Sequence, residues 1–342
     1  QAIEYAPKIK NYYVWASFAE AAMKDMGYNH VNTLRGSLDT SKFFRLSDEK
    51  RTSLRKSNNI SDEFIVGFVF RNQLRKSVPN MLEGFKLFKA KEPKAKLLLH
   101  THWSEGWDIP RLIKEKGINP EDVLTTYICN KCGVYHISPF RGQELTCASC
   151  GTEKSVNTTN TGRGVSDSQL NEIYNLMDVY CHPFTSGGQE IPIQEAKLTE
   201  MITLVTNYSC GVDSCSEESG GIPLEWSEYR EPGTQFIKAS TSADDIAKKL
   251  ESVRDMEREK RVAMEKKSRQ WVVDNFSVEV IGEQLEEIID EMPPVDYNFD
   301  SKGADYNPNY QPRNDYTSQG EFLIDIYKNI LHDDVDENSQ GF

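Results

Sequence analysis

Two Cys-x-x-Cys-Gly knuckles, Cys129-Asn130-Lys131-Cys132-Gly133 and Cys147-Ala148-Ser149-Cys150-Gly151, are the strongest chemical signal in this chain. Each knuckle turns the backbone so that both thiolates face one point, and the glycine that follows accepts the positive φ of the turn. Two such pairs supply the four soft sulfur ligands that tetrahedral zinc prefers. Four thiolates leave no open position for a substrate, so the expected ion is a structural zinc held by Cys129, Cys132, Cys147 and Cys150. Two disulfides or a redox pair would be the other use of four cysteines, and the doubled Cys-x-x-Cys-Gly argues against it. The expected zinc ribbon covers residues 127–153. It is too short for a hydrophobic core of its own. It is either a lid over a ligand or a surface appendage. The strands of the main sheet are expected not to pass through it.

A second group of residues has the chemistry of an anion site. Arg71 and Lys76 stand five residues apart just after the apolar run Phe64–Phe70, where two cations can converge on a diphosphate. Further on, Gly187-Gly188-Gln189-Glu190 precedes an expected helix from Pro192 to Thr199. A glycine pair before a helix lets backbone N–H groups approach an anion without Cβ obstruction. Glu195, expected in the first turn of that helix, could accept both hydroxyls of a ribose, or serve only as a favourable charge near the helix start. His100, His102 and His182 follow or end strands, where satisfied structural histidines are the commoner outcome.

These residues need strands and helices to hold them. Phe64–Phe70, Lys96–His100, Val123–Ile128, Val179–His182, Ile202–Thr206 and Gln235–Ile237 read as buried strands. Helical stripes at Pro79–Ala90, Ile109–Lys116 and a helix opened by the capping box Ser166–Gln169 come between them. Alternating strand and helix predicts an α/β fold, a doubly wound, parallel, Rossmann-like sheet with right-handed crossovers. The four-cysteine insertion interrupts it and a helical C-terminal extension follows. Residues 1–58 show one amphipathic helix, Phe18–Met26. Residues 59–292 hold the main domain, 293–320 read as a linker, and 321–342 open a small helical module.

Composition narrows the partners. Forty basic and fifty-three acidic residues leave a net charge of −13 over 342 residues, which disfavours a broad nucleic-acid surface. No apolar run reaches the ~18–20 residues that span a bilayer. Cys181, Cys210 and Cys215 are scattered, and seven cysteines make a poor disulfide framework, so a reducing cytoplasmic location is expected.

From about Val31 to Met292 the chain resembles the C-terminal, donor-binding half of retaining glycosyltransferases of the GT-B fold, family 4. The family's Gly-Arg followed five residues later by Lys resembles Phe70-Arg71 and Lys76, which implies that Arg71 and Lys76 hold the donor diphosphate. Its Glu-x7-Glu ends at Glu195, which implies the ribose role. The first glutamate of that motif falls on Gly187, and Gln189 or Glu190 of the same loop would have to replace it against the donor sugar. Arg35–Phe43 resembles the interdomain hinge. The resemblance implies a hexosyl transfer from a nucleotide-diphosphate sugar to an unidentified acceptor, without a visible catalytic base, by a chain lacking most of the acceptor domain and thus a fragment. The alternative is a non-catalytic nucleotide-sugar-binding or scaffolding protein whose zinc ribbon contacts partners.

Overall fold

Near-continuous apolar runs become strands buried on both faces, because only helices packed above and below a sheet can cover them. The computed structural model describes residues 2–292, so the expected linker 293–320 and helical module 321–342 lie outside the described residues. Near the start, β1 (Tyr12–Val14) and β2 (Val31–Thr33) pair in parallel across the helix Ser17–Asp25. Ala6, Met23 and Val31 give this unit its own small core. The two short strands were not anticipated from the sequence.

The main sheet contains β3 (Ile65–Val69), β4 (Lys96–His100), β5 (Val123–Cys129), β6 (Tyr135–Pro139), β7 (Val156–Thr158), β8 (Val179–His182), β9 (Thr203–Thr206) and β10 (Gly221–Leu224). Its order is β10-β9-β8-β3-β4-β5-β6, with β7 also paired to β5. The pairings from β10 to β5 are parallel, while β6 and β7 run antiparallel to β5. Side chains alternate between faces, as the strand period requires. Val66, Phe68, Leu97 and Leu99 pack with the helices Val78–Lys89, Ile109–Lys116 and Ala243–Arg254. Ile65, Val69 and Leu98 pack on the other face with Asp167–Leu176, Ile191–Leu198 and Arg258–Phe276. The sheet is therefore doubly wound, as expected. The Ser166–Gln169 capping box forms, with Ser166 Oγ accepting from the Gln169 N–H and the Gln169 side chain accepting from the Ser166 N–H.

Two expectations are corrected. The segment Gln235–Ile237 is not a strand of the main sheet. β12 begins at Ile237 and runs to Thr241, pairing antiparallel with β11 (Trp226–Arg230) in a separate two-stranded sheet. Gln235, at φ +62°, lies in the turn before it, where the Glu231 N–H donates to the Phe236 carbonyl. The outer parallel strand is β10 instead, and its edge position tolerates Pro223, which cannot donate to a ladder.

The second correction concerns the ribbon, because a strand of the main sheet does pass into it. β5 pairs with β4 only over Val123–Thr125, then continues past the end of β4 to Cys129. There β7 takes over the ladder, with Tyr127, Ile128 and Cys129 opposite Thr158, Asn157 and Val156. The ribbon is thus an antiparallel continuation of the sheet at its carboxyl edge. Among the described residues no helix is long and apolar enough to cross a membrane.

Candidate functional site

Strand ends in a parallel sheet converge on one edge, and their following loops surround whatever space is left there. At the carboxyl ends of β3 and β4 that space is a cavity of about 250 Å³. Arg71 and Asn72 border it from the loop after β3, and His100, Thr101 and His102 from the end of β4. Thr159–Thr161 and Gly164, in the chain leaving β7, form a third side, and Glu195 a fourth. Thr101 and Thr159 are buried, and neither hydroxyl oxygen has a hydrogen-bond partner. A lined space with unspent polar groups is the usual form of a ligand site.

Glu195 is held by Tyr174, whose hydroxyl donates to its Oε2 at 2.7 Å. Burial raises the Glu195 carboxyl above its ordinary value, and the Tyr174 hydrogen bond opposes that rise. Its place in the helix differs from expectation. The helix begins at Ile191, so Glu195 is its fifth residue and the first turn holds no acid. Its carboxylate is therefore not a helix-start charge. Tyr174 gave no sign in the sequence, since its partner is 21 residues away and on another helix.

Lys76 lies elsewhere, in a buried cluster. Its ammonium contacts Glu190 Oε2 and approaches His182 Nε2 at 3.2 Å, while Arg75 contacts the other Glu190 oxygen. His182 Nε2 also lies 3.2 Å from Glu190 Oε2, and its Nδ1 lies 2.8 Å from the Tyr180 hydroxyl. Burial opposes ionisation of Glu190, but the His182 hydrogen bond and the charges of Lys76 and Arg75 outweigh it. The carboxyl is held well below the carboxylate range. Burial lowers Lys76 below the usual lysine value, against the pull of Glu190. Lys76 and Glu190 are only 3% and 4% exposed, so this ion pair is desolvated on both sides.

The loop before the helix has parted into separate tasks. A Cβ on Gly187 would stand 2.5 Å from Glu190 Oε1, so the Glu190 carboxylate fills the space where a side chain at 187 would lie. The Gly187 N–H is taken by Ser209 Oγ at 3.0 Å, whereas Gly188 is exposed. Gln189 faces the hinge: its amide accepts from the Gly36 N–H at 3.0 Å and donates to the Gly36 carbonyl at 3.1 Å. Of the expected site residues, the structure brings Arg71 and Glu195 to the cavity, pairs Lys76 with Glu190, and ties Gln189 to the hinge. Arg75 was missed although it adjoins Lys76, because the carboxylate that both cations reach lies 115 residues away from it.

His182 is buried and His100 half-buried at the cavity, and desolvation lowers each to about 4, with Lys76 adding to the effect at His182. His100 Nδ1 lies 3.0 Å from Thr126 Oγ1. Between their ordinary value of 6.5 and about 4 the unfolded chain binds more protons than the folded one. Stability must then fall as pH falls through that interval and be insensitive to these groups above it. Thermal midpoints measured from pH 7.5 to 4.5 should drop, and His100→Gln should make the drop shallower. An identical pH dependence in the variant would remove His100 as a cause.

The four knuckle sulfurs lie within 4.8 Å of one another, with Cys129–Cys150 at 3.8 Å and Cys132–Cys147 at 3.7 Å. Ligands at ~2.3 Å from a tetrahedral ion stand about 3.8 Å apart, so these thiolates fit zinc. Gly133 and Gly151 have φ of +71° and +70°, and their N–H groups donate to the Cys129 and Cys147 carbonyls at 2.9 and 2.8 Å. The two knuckles are nearly the same turn. All seven cysteines are free of disulfides.

No protein-family model and no curated protein matches the chain. Solved structures do resemble it. HepE of Anabaena, in complex with UDP-glucose, has a TM-score of 0.59 at 13% identity, over 85% of this chain and 66% of that one. A glycosyltransferase from Rickettsia africae has a TM-score of 0.58 at 14% identity, over 82% and 63%. Sucrose-phosphate synthase of Thermosynechococcus elongatus has a TM-score of 0.56 at 16% identity, over 81% and 57%. The chain thus spans less than two thirds of each of these proteins. The likeness establishes the fold, an α/β sheet arrangement shared with GT-B glycosyltransferases.

Proposed function

We propose that the cavity at the ends of β3 and β4 receives the nucleotide-diphosphate sugar of a retaining, hexosyl-transferring glycosyltransferase. The observation that carries this reading is the meeting of Arg71 and the Tyr174-held Glu195 on one cavity at the carboxyl edge of a doubly wound sheet. The HepE neighbour, in complex with UDP-glucose, supports the donor class. In this reading Glu195 accepts from the ribose hydroxyls and Arg71 faces the diphosphate, where negative charge grows as the sugar leaves. Lys76 adds positive charge from beneath the Gly187-Gly188 loop. Glu190, in the space of a residue-187 side chain, is the carboxylate nearest to replacing the absent first glutamate. Gln189 positions the loop against the hinge. The four cysteines hold a structural zinc. Residues 59–292 are the donor domain, and 1–58 the hinge with part of the acceptor side.

A calorimetric screen of uridine, guanosine and adenosine diphosphate sugars tests the reading. One of them should bind, and Arg71→Ala should weaken it by the value of a charge-assisted hydrogen bond, about 1.5–3 kcal/mol. Wild-type affinity in Arg71→Ala would remove that residue from the site. The second reading, a non-catalytic binding or scaffolding protein, is favoured by one observation: the Glu190 carboxylate already occupies the Lys76 ammonium and contacts Arg75. Binding without transfer fits a donor-binding fragment, and failure to bind any of the sugars would discard the donor site and favour the scaffold.

A further inference from the structure

The thiolate quartet and the cavity are two ends of one piece of structure. Cys129 is the last residue of β5, and its register partner Val156 is the first of β7. Two residues later, at Thr158, the chain leaves β7 and becomes the Thr159–Gly164 side of the cavity. Gln143, from the segment between the knuckles, clasps that exit point: its Nε2 donates to Thr158 Oγ1 at 2.7 Å and its Oε1 accepts from the Thr158 N–H at 2.9 Å. Beside it the Glu144 N–H donates to Asn157 Oδ1 at 3.0 Å. Beyond the exit, Asn160 and Arg163 exchange two backbone hydrogen bonds, closing a small turn.

The ribbon also grips the opposite side. The carbonyl of the knuckle residue Gly133 accepts from Gln169 Nε2 at 2.9 Å, and Tyr135 donates to Glu172 Oε2 at 2.6 Å. Gln169 and Glu172 belong to the helix that supplies Leu170 to the cavity and Tyr174 to Glu195. What holds the ribbon itself is slight. Its buried cluster is Tyr127, Cys129, Cys147 and Val156, and two of those four are thiolates of the quartet. A unit with so small a core depends on its metal for order.

We propose that a thiophilic divalent ion, zinc, bound by Cys129, Cys132, Cys147 and Cys150 shapes the cavity, so that nucleotide binding depends on metal loading. This deepens the reading of the cavity as a nucleotide-diphosphate sugar site and rests on it. Loss of the ion frees the end of β5 and β7 together, and the Thr159–Gly164 side and the Tyr174–Glu195 pair lose their common support.

Protein purified under reducing conditions should carry one zinc per chain by elemental analysis. Chelation of the full chain, and separately Cys132→Ser/Cys150→Ser, should speed amide exchange tenfold or more at residues 159–164 and 169–174. Exchange in β3 and β4 should stay slow, since their ladder does not run through the ribbon. UDP, GDP and ADP titrated into both forms should show at least a tenfold loss of affinity on metal removal, restored by added zinc. Wild-type protein without metal overturns the proposal, as does metal-free protein with unaltered exchange at 159–164 or unaltered nucleotide affinity. Should the cysteine variant fail to fold, Gln143→Ala keeps all four thiolates and cuts only the clasp on Thr158. It should retain zinc and exchange faster at 159–164, and unchanged exchange there overturns the coupling. If none of the three nucleotides binds the zinc-loaded chain, the donor reading falls, and the exchange measurements still decide the ion's hold on the cavity.

Discussion

Glu190→Ala is expected to lower folding stability by about 3–5 kcal/mol, the cost of leaving a buried charge without its partner. The glutamate is the only acid contacting the Lys76 ammonium among the described residues, and Arg75 and His182 converge on the same carboxylate. Removing it leaves Lys76 desolvated beside Arg75, with no negative charge to offset the burial that already lowers its proton affinity. Urea unfolding of the wild type and the variant measures the loss directly. The double variant Glu190→Leu/Lys76→Met should recover much of it, because two apolar groups of similar size leave no fully buried unpaired charge, and Arg75, 38% exposed, can turn to solvent. A loss below about 1 kcal/mol in Glu190→Ala would mean that solvent reaches Lys76. The same experiment bears on function. If the cations are there for a diphosphate, Glu190→Gln should bind inorganic pyrophosphate more tightly than the wild type does, since the competing carboxylate is gone.

Glu195→Ala should weaken donor binding by about 1.5–3 kcal/mol, the value of hydrogen bonds to a charged group. The fold should tolerate it, because the carboxylate borders a cavity and the Tyr174 hydroxyl that loses it keeps the Pro192 carbonyl at 3.3 Å. Tyr174→Phe keeps the carboxylate and removes the group that orients it, so its effect should be smaller, about 1 kcal/mol. The order of the two variants carries the information. An effect of Tyr174→Phe equal to that of Glu195→Ala would mean that orientation, rather than the carboxylate itself, is what the ligand requires. Wild-type affinity in Glu195→Ala would remove the residue from the site.

The local sequence determined a good deal of this protein, wherever the cause of a structure lies within a few residues. The apolar runs at Lys96–His100 and Val179–His182 become strands with the same bounds. A strand buried on both faces must be apolar throughout, and little else is. The knuckles formed for a similar reason: Cys-x-x-Cys-Gly contains both ligands, their turn and the glycine that permits it. Ser166 and Gln169 close their capping box within four residues.

Matters settled between distant segments became legible only in the folded chain. That β5 runs on into the ribbon depends on β7, which pairs with it from about 30 residues away. Nothing in Val123–Cys129 by itself tells where one partner strand stops and another begins. Gln235–Ile237 has the residues of a strand, yet its place was taken by β10, because a sheet edge is filled by whichever segment the preceding loop delivers to it. Among the site residues, position along the chain indicated Arg71 and Glu195 because both follow directly from elements that the sequence defines. The fates of Lys76, Gln189 and Glu190 turned on packing instead. A charged side chain in a loop turns inward only if a partner of opposite charge is already buried there, and Glu190 reached Lys76 because Gly187 left room for its carboxylate.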